Sequence, residues 1–120
     1  MSASGGPIRS HSTKTSEGSW NGSGAESKLG DATPATMRRA YAWADPDGKP
    51  DNKGSYKFIH HEVSSRGGVG AANVRACISG IGVLNGGRRG ADIPASDRKR
   101  IYAHLARHLR DAGHEPPELD

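Results

Sequence analysis

Two pairs of histidines are the residues of this chain best suited to chemistry. His60 and His61 precede Glu62 in "YKFIHHEV", and His104 and His108 stand in "HLARH". An imidazole can ligate a divalent metal through either ring nitrogen, or move a proton near neutral pH. Four residues apart on a helix, His104 and His108 share a side, the HxxxH spacing of zinc proteases. That motif also needs a glutamate after its first histidine and a third ligand, whereas Leu105, Ala106 and Arg107 intervene here. His60 and His61 read as part of a strand, whose successive side chains point to opposite faces. His61 then lies with Ile59 and Val63, and His60 with Phe58 and Glu62, so both cannot meet one ion without distortion. A composite site of His60 or His61 with Glu62, His104 and His108 is one reading. The favoured one is packing and polar networking at the edge of a small core, with no metal, no cofactor and no catalytic residue.

Other chemistries are weaker. Cys77, the only cysteine, sits on the apolar side of an expected helix as a small buried hydrophobe. G-x-S-x-G is absent, and "GGRRG" lacks both the Walker lysine and a preceding strand. Arg88, Arg89 and a basic stripe of Lys99, Arg100, Arg107 and Arg110 suit an acidic or nucleic-acid surface. Without interleaved aromatics that stripe reads first as a solvated helix face.

These residues need elements to hold them. "ASDRKRIYAHLARHLRDAG" predicts the clearest helix, with Ile101, Leu105, Leu109 and Ala112 on one face and Tyr102 at its margin. Pro94 fits its first turn, Asp97 and Arg110 suit its dipole, and Gly113 stops it. "AANVRACISGIGVLNGG" predicts a second helix through Val74, Cys77, Ile78, Ile81 and Leu84, capped by Asn73 and ended by Gly86 and Gly87. Gly80 and Gly82 inside it suggest close approach of another backbone. "MRRAYAWAD" and "SYKFIHHEV" flank a Pro/Asp/Gly/Asn cluster and read as two strands around a polar loop, with strand preferred for Ala40–Ala44. A helix starting at Thr33 as N-cap, with Pro34 at its first position, competes with that reading.

Composition sets the limits. The 120 residues, 32% apolar and 5% aromatic with 17 glycines, allow one small domain with a small core. A single cysteine excludes an internal disulfide and a cysteine-rich zinc module, which fits intracellular assembly. No stretch approaches the roughly 20 apolar residues of a membrane span, and no signal-peptide core is evident. The net charge of +4 is mildly basic. Residues 1–31, rich in Ser and Gly, read as an arm that is flexible or ordered by a partner, with Trp20 as its anchor. Residues 32–120 read as a small globular α+β domain, a short hairpin and two main helices, with an extended C-terminal tail.

The order "HSTKTSEGSWNG", "AYAWAD", "YKFIHHEV", "GAANVRACISGIGVLNGGRRGADIP" and "DRKRIYAHLARHLRDAGHEPPEL" resembles a small module of tailed-bacteriophage and prophage head proteins. That module is found near or fused to the HK97-type head maturation protease, and also alone. The resemblance covers about three-quarters of the chain and implies virion assembly in the host cytoplasm. The protease domain lies outside the module, so no catalytic residue is carried over. The expectation is a non-enzymatic capsid decoration or cement protein bound to the major capsid protein, with self-association on the shell open. Contacts are expected from Trp20, Arg88, Arg89, Arg107 and Arg110. The alternatives are a nucleic-acid binder in packaging or regulation, a protease accessory, and a metal-dependent hydrolase; no membrane partner is expected.

Overall fold

The computed structural model describes residues 6–8, 13–30, 32–86 and 93–119. Among them it shows an α+β domain of four α-helices and two three-stranded sheets. The chain runs β1 (Gly6–Pro7), β2 (Thr15–Ser16), α1 (Gly22–Leu29), α2 (Pro34–Ala40) and β3 (Trp43–Ala44). It continues through a 3₁₀ turn (Lys53–Ser55), β4 (Tyr56–Lys57), β5 (His61–Val63), β6 (Val69–Asn73), α3 (Val74–Leu84) and α4 (Ala95–Asp111).

One sheet has the order β1-β3-β4, all antiparallel, and its β3–β4 pair is the expected hairpin, with Trp43 opposite Lys57. The other is β2-β6-β5, in which β2 runs parallel to β6. The stretch read as an arm thus adds an edge strand to each sheet. It also forms α1, where the Asn21 side chain accepts from the Gly24 amide and Ala25 and Leu29 are buried.

Around residue 40 the strand reading gives way to its rival. Thr33 caps α2 by accepting from the Thr36 amide, Pro34 opens it, and strand resumes only at Trp43. Proline's fixed φ and a threonine cap favour helix there. Asn73 ends β6 and caps α3 through the Ala76 amide, 3.0 Å away. Ile78, expected to face inward, is exposed. Pro94 is the N-cap of α4 rather than part of its first turn, and Gly113 ends that helix at φ +83°.

Two hydrophobic clusters result. Ile8, Leu29, Met37, Tyr41, Tyr56 and Val63 belong to the first; Trp43, Cys77, Ile81, Ile101, Leu105 and Leu109 belong to the second. Gly80 is where α3 and α4 meet: a Cβ there would lie 2.8 Å from the Leu105 Cδ1, so the neighbour is a side chain and not a backbone. Gly82 faces open space. Trp43 donates its indole N–H to Asp97 at 2.9 Å, tying β3 to the start of α4.

Candidate metal centre

All four histidines of the two pairs converge. His60, His61, His104 and His108 are between 0 and 1% exposed, and each offers a ring nitrogen within 4.8 Å of the others. The His60 ring centroid lies 4.5 Å from that of His61, 4.9 Å from His104 and 5.0 Å from His108.

α4 supplies its pair as its helical period dictates. His104 and His108 sit one turn apart beside the apolar stripe of Ile101, Leu105 and Leu109. The other pair needs a departure from regular strand. Phe58 has φ +68°, a left-handed conformation that costs a non-glycine residue about 1–3 kcal/mol. β5 begins only at His61, and its register against β6 shifts between His61 and Val63. Strand alternation therefore does not govern His60, and both rings turn inward. This corrects the expectation that adjacent histidines face apart. Glu62 does stay apart from the cluster: it accepts from Ser16 at 2.8 Å and from the Asn73 amide group at 2.7 Å.

Hydrogen bonds fix three of the tautomers. The Nδ1 of His60 lies 2.9 Å from the Phe58 carbonyl, that of His61 2.7 Å from Gly70, and that of His104 2.8 Å from Ile8. A carbonyl oxygen only accepts, so each Nδ1 carries the proton and each neutral ring presents a bare Nε2. The Nε2 atoms of His60 and His104 then face each other at 3.1 Å. Two lone pairs at that distance repel unless a proton or a cation lies between them. An added proton would create a buried imidazolium, and moving an Nδ1 proton there would cost that ring its carbonyl bond. Burial holds His60 well below its ordinary pKa, and the neighbouring His61 and His104 add to that, so the charged form is disfavoured.

A divalent cation suits the arrangement. Zinc–nitrogen bonds of about 2.0–2.1 Å in a tetrahedron place ligand nitrogens about 3.3 Å apart. Carbonyl-held Nδ1–H groups are the second-shell pattern that orients metal-ligating imidazoles. The 3.1 Å pair is close to that tetrahedral spacing, and all four nitrogens lie within 4.8 Å of one another.

Of the residues expected to touch a partner, the described ones are not part of this cluster. Trp20 is half-buried against the first hydrophobic cluster. Arg107 pairs with Asp111 at 3.6 Å, and Arg110 is exposed. Arg88 and Arg89 fall outside the described residues. Among the described residues no helix is long and apolar enough to cross a membrane. No known protein family, curated protein or solved structure matches the chain.

Proposed function

We propose that this chain is a non-enzymatic module stapled by a buried divalent metal ion, zinc by its donor set, and that it works by adhesion within a tailed-phage head. The metal reading is carried by one observation: the bare Nε2 atoms of His60 and His104 meet at 3.1 Å while their Nδ1 atoms are committed to carbonyls. Imidazole nitrogen suits zinc, and four protein ligands would fill a tetrahedron, leaving no open position for water or substrate. Near-complete burial of the ligands agrees with a structural rather than a catalytic role.

A metal staple would add to the limited stability of a small core. A 120-residue chain with 32% apolar residues buries a limited core, and one cysteine cannot form an internal disulfide. Metal binding that occurs only in the folded state adds directly to folding free energy. Titration of the metal-free chain with Co(II) tests this reading. The expected result is the intense visible absorption of a tetrahedral site, saturating at one equivalent, displaced by Zn(II) and absent in His104→Ala. A titration without that absorption removes the metal centre.

Adhesion in a phage head is supported by the order of sequence motifs that resemble a head module, and by two surface features. Segments preceding residue 30 lie on sheet edges, a suitable arrangement for bridging to a neighbouring subunit. A shallow groove of about 280 Å³, lined by Trp20, Phe58, Ile59, Gly80 and Val83, is mostly apolar. Co-sedimentation with capsids is the test. The zinc-loaded chain is expected to pellet with shells. A zinc-loaded chain that stays in the supernatant at micromolar capsid protein discards this role.

A further inference from the structure

His104 of the histidine centre makes an outer hydrogen bond to a distant part of the chain. His104 Nδ1 lies 2.8 Å from the Ile8 carbonyl, across 96 residues of sequence. Ile8 is otherwise held by its amide, which donates to Ala42 at 2.9 Å, and by its side chain in the first hydrophobic cluster. The His60 ring is anchored locally instead, to the carbonyl of Phe58 only two residues away.

We infer that metal occupancy latches the N-terminal strand: the loaded site holds β1 and Ile8 on the domain through His104, and the empty site lets them go. The inference rests on the metal reading above. With a cation at Nε2, the His104 proton must reside on Nδ1, where it donates to Ile8, and metal coordination strengthens that donor. Without the cation, Nε2 of His60 and His104 are left face to face at 3.1 Å. The contact becomes favourable once the His104 proton moves from Nδ1 to Nε2 and donates to His60. The ring stays neutral and one proton changes nitrogen. Nδ1 then turns a lone pair on the Ile8 carbonyl, converting a buried hydrogen bond into a repulsion between two acceptors. His60 could shift its own proton instead, but it would break the short-range bond that orients it beside the left-handed Phe58. β1 contributes only two residues to its sheet, so without the His104 bond it is held by that short pairing, the Ile8–Ala42 bond and the Ile8 side chain alone.

Linkage requires the effect to run both ways: if metal holds the strand, the strand must hold the metal. Loss of an outer-shell partner typically weakens metal affinity by about 10–100-fold.

Hydrogen-exchange mass spectrometry of the full chain, zinc-loaded and chelator-treated, tests the latch. The expected result is at least about tenfold faster exchange at the Ile8 amide on zinc removal, with the amides of α3 keeping their protection. Unchanged protection at Ile8, or loss in step with α3, overturns the latch. A chain that takes up no zinc overturns the metal reading itself, so the two failures are distinct. Zinc affinity by chelator competition supplies the reciprocal arm. Deletion of residues 1–8 is expected to weaken it by about 10–100-fold, and Ile8→Ala, which keeps the carbonyl, by less than about threefold. Equal affinity in the deleted chain and the full chain contradicts the inference.

Discussion

α4 buries two faces that obey different physics. Ile101, Leu105 and Leu109 press hydrocarbon against α3, and any apolar surface of the right shape would satisfy them. Beside them His104 and His108 bury imidazoles, which burial penalises unless every polar atom finds a defined partner. The first face needs only proximity. The second needs three backbone carbonyls, a left-handed Phe58, a register shift in β5 and, on this account, a cation. A fold accepts that much constraint where it receives something hydrocarbon cannot supply; on the proposed metal reading, that is a cross-link between elements distant in sequence.

The largest predicted difference between the faces appears on metal removal. Chelation, or His104→Ala with His108→Ala, is expected to abolish zinc binding and lower the melting temperature of the zinc-loaded chain by more than about 10 °C. Leu105→Ala is expected to cost about 2–5 kcal/mol in urea unfolding while leaving zinc stoichiometry unchanged. Parity between the two kinds of variant in zinc content would erase the distinction.

Acid separates the faces by sign. In the metal-free chain burial, then His61 and His104, hold His60 well below its ordinary value of 6.5, while the unfolded chain takes up that proton freely. Its folded pKa is depressed, so the native state is unpenalised above about pH 6.5 and loses stability as pH falls from there toward the folded pKa. Leu105→Ala should shift the whole stability-against-pH curve downward without changing its shape. A metal-free chain equally stable at about pH 7.5 and about pH 5.5 would contradict this sign.

The smallest effects concern the α3–α4 contact. Gly80→Ala places a Cβ 2.8 Å from the Leu105 Cδ1 and is expected to cost about 1–3 kcal/mol. Gly82→Ala meets open space and is expected to stabilise α3 by up to about 1 kcal/mol. Thermal melts of the two variants read the contrast directly.

The same division explains what could be read from the sequence. The apolar face was legible: helical spacing marks Ile101, Leu105 and Leu109, and Asn73 announces the start of α3. The β3–β4 hairpin was legible from its turn residues, and the Thr33–Pro34 start of α2 was visible as an alternative. The histidine face was only half legible. Spacing placed His104 and His108 together, but the inward turn of both His60 and His61 depends on the positive φ of Phe58, which no residue type signals. The pairing of β1 and β2 with strands far along the chain is likewise non-local, so a polar, glycine-rich segment gives no local sign of it.

We propose above all that this fold is organised around a bound metal. Elemental analysis of the purified full chain, after dialysis against metal-free buffer without chelator, tests it most directly. The expected result is one zinc per chain, lost together with thermal stability on chelation and regained with it on zinc addition. A metal-free protein that melts at the same temperature with and without added zinc would contradict it.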